Sequence, residues 1–268
     1  MSESLVRVGD VLTYLDEIAP VELRLERDNV GHLVGRRDRR VERVLIALDI
    51  TEEVIAEARG IGAQLIVSHH PLIFAPLYHV TDADLTGRKI LGLAQNDMAA
   101  ICMHTNLDVA AGGVNDALAE ILGLTDVSVL CPAGEAGNGA VYGLGRVGML
   151  PAPVPMAAFL RKTKESLHVE GLRYYDAGVP VHKVGLLGGS GSGELSQAIK
   201  AGCDTYVTGD VKYHTFLEAR ELGVNLIDGD HYCTENIICP RLRDQIAARF
   251  PELDVRLSER HGQTVRFF

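Results

Sequence analysis

Histidines and acidic residues follow several apolar runs of this sequence, and they are the residues whose types and spacing could do chemistry. His69 and His70 follow the run at 65–67, and His104 follows the run at 100–103. His231 and Glu235 stand four residues apart, which places both on one face of a helix. Imidazole and carboxylate ligands together suit a divalent ion such as zinc, iron, manganese or nickel. The complete set is His69, His70, His104, Asp108, Asp210, Asp228, Asp230, His231 and Glu235.

Each of these signals also has a plainer interpretation. A pair of adjacent histidines is often part of a polar loop, and a His four residues before a Glu often lies on a solvated helix face. Asp108 could instead cap a helix predicted from residue 113. However, these histidines and acidic residues all lie near the carboxyl ends of predicted strands. This favours a common site, because ligands in open α/β sheets bind beyond those ends.

The neighbouring residues His69 and His70 favour two metal ions over one. Adjacent residues of a strand point to opposite faces, and Pro71 cannot donate to a strand ladder, so regular pairing is predicted to stop there. Each imidazole can then serve its own ion of a pair about 3.5–4 Å apart, and a carboxylate such as Asp108 can bridge the pair. Two such ions can activate water for hydrolysis at neutral pH.

Alternating strand and helix patterns predict the scaffold that must position these residues. Short β-branched runs predict buried strands, and apolar residues at helical spacing predict helices between them. The pattern is typical of an α/β fold with helices packed on mostly parallel sheets. The predicted strands are 43–49, 64–68, 100–104, about 140–149, 182–188, 204–208 and 224–228. The predicted helices are 8–19, 51–60, 83–98, 113–122, 155–168, 193–201, 212–222 and 232–249.

The two halves of the sequence resemble each other weakly. GAQLIVSHH (62–70) aligns with GCDTYVTGD (202–210), and the pair His104/Asp108 matches the pair His231/Glu235. An ancient duplication would account for this, although the similarity alone leaves the question open. The Gly- and Pro-rich stretch 131–155 is interpreted as a boundary, which predicts an N-terminal lobe at 1–130 and a C-terminal lobe at 131–268.

Composition and charge exclude several classes of protein. The net charge of −10 argues against a nucleic-acid partner, and the basic run at 36–40 is interpreted as a solvated loop or, alternatively, a subunit or anion contact. No apolar run approaches the roughly 20 residues that cross a bilayer, and the N-terminus does not resemble a secretory signal. We therefore expect no membrane partner and a cytoplasmic location. The five cysteines form no CxxC pair, as expected for reduced thiols.

Two further segments have open interpretations. The loop GGSGSGE (188–194) lies between a predicted strand and a predicted helix, so its amides could hold a phosphate or simply form a tight turn. Lys212, Tyr213 and His214 follow Gly209-Asp210, and they are interpreted either as residues of the cleft or as a surface turn.

Four segments together resemble a known family. They are SHHPLIF (68–74), HTNLDVAAGGVND (104–116), GLGRVG (143–148) and TGDVKYHTFLEARELGVNLIDGDHYCTE (208–235). In this combination, over about residues 5–267, the sequence is similar to the GTP cyclohydrolase I type 2 homologues, also called Nif-three-like dinuclear-metal proteins. The resemblance implies two related α/β lobes with a dinuclear metal site in the cleft between them, and a toroidal homohexamer.

The resemblance also implies roles for individual residues. It implies two divalent ions per subunit, held by the ligands His69, His70, Asp108, His231 and Glu235. His104 would be an accessory residue beside the ligands, and Lys212 and His214 would have catalytic or substrate-binding roles. Asp230 departs from the family pattern, in which a small residue stands before the ligand histidine. The chain also has no room for the domain that longer members carry between the lobes.

The resemblance therefore implies a hydrolase with a small nucleotide-like substrate. The family name points to opening of the guanine ring of GTP with release of formate, and a phosphoesterase is the nearest rival. The alternative from another class is a metal-binding hexameric scaffold without turnover.

Overall fold

The computed structural model describes residues 5–135, 137 and 139–268, and it has the mixed α/β fold that the sequence predicts. Packing of the Cα atoms divides the chain into two compact units. Unit 1 comprises Met1–Leu107 and Ile238–Gly262, and unit 2 comprises Asp108–Ile237 and Gln263–Phe268. Each unit contains one sheet.

The described residues form strands and α-helices that mostly alternate along the chain. The strands are β1 (Gly31–Val34), β2 (Arg43–Ala47), β3 (Leu65–Ser68), β4 (Ala99–Cys102), β5 (Thr125–Glu135), β6 (Val141–Val154), β7 (Arg173–Tyr175), β8 (Val181–Leu186), β9 (Thr205–Thr208), β10 (Asn225–Asp228) and β11 (Asp254–Leu257). The helices are α1 (Val8–Ile18), α2 (Glu52–Ile61), α3 (Leu85–Gln95), α4 (Thr105–Val109), α5 (Val114–Ile121), α6 (Met156–Leu167), α7 (Leu195–Lys200), α8 (Tyr213–Leu222), α9 (His231–Glu235) and α10 (Ile238–Arg249). Two short 3-10 helices are Val21–Leu23 and Ser192–Glu194.

The sheet of unit 1 has the strand order β1-β4-β3-β2-β11. Strands β2, β3, β4 and β11 are parallel, and β1 runs antiparallel to β4. All residues of β3 and β4 are buried, which explains their continuous apolar sequences. Thr51 accepts a hydrogen bond from the Val54 amide and so starts α2, and Gly62 ends that helix with a φ of 69°.

The sheet of unit 2 has the strand order β5-β6-β8-β9-β10-β7. Strands β8, β9 and β10 are parallel, and β7 runs antiparallel to β10. The long strands β5 and β6 form an antiparallel hairpin at the other edge, joined to the parallel part through β6 and β8.

Both sheets contain the same four-stranded arrangement. The order β1-β4-β3-β2 in unit 1 corresponds to β7-β10-β9-β8 in unit 2, with the same strand directions and the same sequence of connections. Strand β4 leads into the five-residue helix α4, and the matching strand β10 leads into the five-residue helix α9. This shared topology supports the relationship that the sequence repeats indicated.

Three details differ from the sequence interpretation. The stretch around 131–155 forms the β5–β6 hairpin inside unit 2, so the units divide at Leu107/Asp108 rather than near residue 130. Glycine permits this close pairing, because a Cβ at Gly143 would lie 2.1 Å from the Cys131 carbonyl oxygen.

The other two differences concern helices near the site. The predicted helix 232–249 is two helices, α9 and α10, because the chain leaves unit 2 for unit 1 between them. Asp108 lies in the short helix α4, which is absent from the predicted helices. Among the described residues, no helix combines the length and apolar composition needed to cross a bilayer.

Candidate metal centre

Two histidines of unit 1 follow the buried strand β3. The backbone amide of His70 donates to the Leu48 carbonyl at 2.8 Å, which holds the end of β3 against the residues that follow β2. His69 is fully buried, and its Nδ1 donates to the Met103 carbonyl at 2.8 Å. The Nδ1 of His70 donates to Asp49 Oδ1 at 2.8 Å. Each ring is therefore oriented by an oxygen of a neighbouring strand end.

His104 is the third histidine of this cluster. It precedes α4, and its Nδ1 donates to Asp28 Oδ1 at 2.8 Å. Its ring centroid lies 5.2 Å from that of His69 and 5.6 Å from that of His70. One potential ligand atom from each of the three histidines lies within 4.8 Å of the others. Unit 1 thus brings three imidazoles together, and we call them the histidine cluster.

Carboxylates orient two of these rings, and the side chain of Asp28 is 4% exposed whereas that of Asp49 is 42% exposed. Burial alone raises the pKa of Asp49, but hydrogen bonds from His261 and His70 more than offset it and bring the pKa well below its usual range. Burial likewise opposes ionisation of Asp28, and hydrogen bonds from His104 and Thr105 lower its pKa well below the usual range. Both side chains are therefore ionised at neutral pH and act as fixed acceptors.

Unit 2 places a histidine between two carboxylates. His231 starts α9, where its Nε2 lies 3.0 Å from Glu235 Oε2 and its Nδ1 lies 2.7 Å from Asp210 Oδ2. The hydrogen bond to Glu235 raises the His231 pKa to about 9, burial opposes this shift, and Asp210 adds to it. The spacing of four residues thus places the two side chains together, as the sequence predicted.

A glycine turn makes room for the Glu235 carboxylate. Glu235 is 4% exposed, and a Cβ at Gly189 would lie 2.0 Å from its Oε1. Gly189 also has a φ of +67°, which glycine adopts without strain. Asp108, the other predicted carboxylate ligand of unit 2, is 8% exposed on α4.

The donor chemistry of both units fits divalent metal ions. Carbonyl and carboxylate oxygens only accept hydrogen bonds, so the Nδ1 of each residue of the histidine cluster carries a proton and Nε2 is the basic nitrogen. Metal-binding histidines are commonly oriented by such contacts. Unit 2 supplies the buried carboxylates of Asp108 and Glu235 together with His231, whose proton a metal ion would have to displace.

Comparison with known proteins gives the family. The Duf34/NIF3 (NGG1p interacting factor 3) family profile matches residues 6–263, which is nearly the whole chain. The chain belongs to the Duf34/NIF3 family. A Clostridium perfringens member named "GTP cyclohydrolase 1 type 2 homolog" is 36% identical over 245 residues, covering 91% of this chain and 92% of that one. The family resemblance seen in the sequence motifs is therefore confirmed.

Solved structures of similar proteins confirm the fold. A Bacillus cereus protein related to NIF3 matches with a TM-score of 0.92 at 28% identity, covering 98% of this chain and 99% of that one. A Staphylococcus aureus hypothetical protein also matches with a TM-score of 0.92, at 31% identity, covering 99% of this chain and 100% of that one.

Several predicted site residues have other positions or partners. Lys212 and His214 are exposed at the start of α8. Asp228 accepts from Arg173 and from the Val211 amide, so it holds the loop after β9 against β10.

Asp230 also accepts a hydrogen bond from a backbone amide. Its side chain accepts from the Cys233 amide at 3.0 Å and caps α9, and its φ is +71°. Asp210 orients His231, as described above. These three acids of the predicted set therefore hold the backbone or the His231 ring in place.

Sequence reasoning missed the residues that orient the histidine cluster. Asp49 lies two residues after the end of β2, so a search for polar residues at strand ends would have selected it. Asp28 precedes the edge strand β1, and His261 follows β11 and reaches Asp49 with Nε2 at 3.1 Å. No local pattern marks Asp28 or His261, because their partners are distant in the sequence.

The loop 188–194 uses several amides internally. The amides of Gly188, Gly189 and Gly191 donate to side chains of Asn115, Thr234 and Thr208 at 2.9–3.0 Å. These contacts favour the tight-turn interpretation of the loop over phosphate binding.

Proposed function

We propose that this Duf34/NIF3 protein is a metal-dependent hydrolase with two divalent ions per subunit. The proposed ligands are His69, His70, Asp108, His231 and Glu235. The observation that carries the proposal is the orientation of the histidine cluster, in which every Nδ1 donates to an oxygen and every Nε2 is the basic nitrogen. The buried carboxylates of unit 2 add the anionic donors that such ions require.

The residues of the chain have distinct parts in this proposal. Bound ions would supply Lewis acidity and activate water. His69 and His70 would each hold a different ion, with their rings oriented by the Met103 carbonyl and by Asp49. His104, oriented by Asp28, would accept a proton at Nε2.

Lys212 and His214 are proposed as substrate contacts. They are exposed at the start of α8, close in sequence to Asp210, the residue that orients His231. A lysine at this position suits an anionic group such as the phosphates of a nucleotide.

A nucleotide-like substrate is proposed from the names of the relatives. The C. perfringens member is named a homologue of GTP cyclohydrolase 1 type 2, so hydrolytic opening of the guanine ring of GTP is the first reaction to test. Hydrolysis of a phosphoester by the same two ions is the second.

The experiment combines metal analysis with two substrates. Protein loaded with zinc, manganese, iron or nickel is incubated with GTP and with bis(p-nitrophenyl) phosphate, and formate, phosphate and nitrophenol are measured. His69→Ala is compared with His79→Ala, a change at an exposed histidine of the same unit. Turnover lost only in His69→Ala is the expected result. Turnover that survives the loss of His69 would contradict the proposal, and metal binding without turnover would favour the scaffold.

We also propose the toroidal homohexamer. Light scattering on purified protein separates a 29.0 kDa monomer from an assembly of six copies. A monomer or dimer at micromolar concentration would contradict the hexamer without bearing on the ligands.

A further inference from the structure

Asn115 connects two segments of unit 2 through its side-chain amide. It is fully buried at the start of α5. Its Nδ2 donates to the Asp108 carbonyl at 3.0 Å, and its Oδ1 accepts from the Gly188 amide at 3.0 Å. One short side chain therefore joins the backbone of a proposed ligand to the turn that follows β8.

The turn at Gly188 and Gly189 contacts Glu235, the other proposed carboxylate ligand. A Cβ at Gly188 would lie 3.5 Å from Glu235 Cγ, and one at Gly189 would lie 2.0 Å from Glu235 Oε1. The Gly189 amide donates to Thr234 Oγ1 at 3.0 Å, which holds the turn against the residue preceding Glu235. Any movement of the turn would therefore move the Glu235 carboxylate.

The segment between Asp108 and Asn115 is itself held in place. The Arg146 guanidinium is almost completely buried and forms two hydrogen bonds with Asp116, at 2.5 Å and 2.9 Å. It also donates to the Ala110 carbonyl at 3.2 Å, and the Gly112 amide donates to Asp116 at 2.7 Å. These contacts hold α4 and the start of α5 in place. The Asn115 amide can therefore fix the distance between the Asp108 backbone and the Gly188 turn.

We infer that Asn115 is a positioning residue that fixes Asp108 and, through the Gly188–Gly189 turn, Glu235. The inference rests on the proposed function, because it concerns two of the proposed metal ligands. Neither amide atom of Asn115 is a ligand. Its effect on metal binding comes from holding two carboxylates at the separation that the ions require.

Asn225 provides a matched control within the same unit. It is also fully buried and uses both ends of its amide, since it donates to the Val179 carbonyl and accepts from the Ala177 amide. It stands at the amino end of β10, whereas the proposed ligands follow the carboxyl ends of strands. Loss of either amide should therefore lower stability, and only loss of Asn115 should disturb the ligands.

The test uses the full chain with Asn115→Ala, Asn115→Asp and Asn225→Ala. Side-chain ¹⁵N–¹H resonances of His231 are recorded in the metal-free protein at one pH, assigned with His231→Gln, and zinc affinity is measured by competition with a chelator. Asn115→Ala should shift the His231 resonances, because His231 contacts Glu235, and should weaken zinc binding at least about tenfold. Asn225→Ala should leave both unchanged while lowering the denaturation midpoint.

Asn115→Asp separates the hydrogen bond to Gly188 from the hydrogen bond to Asp108, and the denaturation midpoint of each variant shows whether it is folded. An aspartate keeps the acceptor for Gly188 but loses the donor to Asp108, so zinc binding should weaken while the His231 resonances stay near those of the wild type. Wild-type resonances and zinc affinity in both Asn115 variants would overturn the inference, as would equal changes in Asn115→Ala and Asn225→Ala. If the wild type bound no zinc, the proposed function would fail, and the metal-free His231 resonances would still decide the role of Asn115.

Discussion

The four strands β1-β4-β3-β2 of unit 1 and the four strands β7-β10-β9-β8 of unit 2 share one topology but end in different chemistry. After β3 come His69 and His70, whereas Gly209 and Asp210 follow β9 at the matching place. Unit 1 supplies three imidazoles, of which acids orient two and the Met103 carbonyl orients one. Unit 2 supplies carboxylates and one imidazole that an acid orients.

The residues after the first parallel strand show the same contrast. Asp49 follows β2 and orients His70, whereas Gly188 and Gly189 follow β8 and leave room for Glu235. One scaffold thus places a carboxylate at this position in unit 1 and only backbone in unit 2. The difference indicates that the two halves have specialised: unit 1 presents oriented imidazoles, and unit 2 presents carboxylates beside a glycine turn.

The largest expected effect comes from filling the space beside Glu235. Gly189→Ala places a Cβ against Glu235 Oε1 at a φ of +67°, so we expect a loss of stability of about 2–4 kcal/mol and loss of bound metal. Gly223→Ala is the control, because Gly223 has a φ of +68° and no atom within 4 Å of its Cβ position. Denaturation and metal analysis of both variants test this. Equal losses would show that backbone strain alone is responsible.

The orienting acids of the two units should differ in importance. Asp49→Asn removes a carboxylate that serves both His70 and His261, and we expect zinc affinity to fall about 10–100-fold. Asp210→Asn should have a smaller effect, because the Asp210 side chain is 57% exposed and water can replace its contact. Chelator competition measures both affinities, and a larger loss for Asp210→Asn would reverse the comparison.

The two units should also respond to opposite ends of the pH range in the metal-free protein. The pKa of Asp49 is lower in the folded state, so its contribution is complete above about pH 3.9 and is lost as the pH falls through the folded pKa. The pKa of His231 is raised to about 9, so its contribution is complete below about pH 6.5 and is lost as the pH rises through 9.

Chemical denaturation from about pH 2 to about pH 10 separates these contributions, because the acid arm reports Asp49 and the alkaline arm reports His231. His231→Gln should flatten the alkaline slope by about 1–2 kcal/mol, a value reduced because the side chain is 34% exposed. Asp49→Asn should leave that alkaline slope intact. An alkaline slope that persists in His231→Gln would contradict the assignment to unit 2.

The smallest effect concerns the helix starts α4 and α9. Asp28 is distant in sequence from α4 and accepts from the Thr105 amide at its start. Asp230 immediately precedes α9 and caps it at a φ of +71°. Asp230→Gly loses the cap but relieves the backbone, so the net change should stay within about 1 kcal/mol. Asp230→Ala should cost about 1 kcal/mol more than Asp230→Gly, and denaturation of both variants measures the difference.

The interior of both sheets could be predicted from the sequence, and the edges could not. Strands β3, β4, β9 and β10 are buried throughout, so their apolar runs are clear. Strands β1, β7 and β11 are three or four residues long and mostly half-buried or exposed, so their pairing depends on neighbours that the local sequence does not reveal.

The candidate site shows the same division. His69 and His70 directly follow β3, and His231 and Glu235 lie four residues apart in the helix that follows β10, so their positions could be predicted from strand ends and helical spacing. Asp28 reaches His104 across 76 residues of sequence, so only the folded chain shows that it orients this ring.

The number of bound metal ions decides whether each histidine serves its own ion. We expect two divalent ions per subunit in the wild type and one ion in each of His69→Ala and His70→Ala, with different sites lost. Mass spectrometry of the native protein counts the ions, and cobalt(II) absorption distinguishes the remaining sites. A folded His69→Ala or His70→Ala protein that had lost both ions would contradict the assignment of one histidine to each ion.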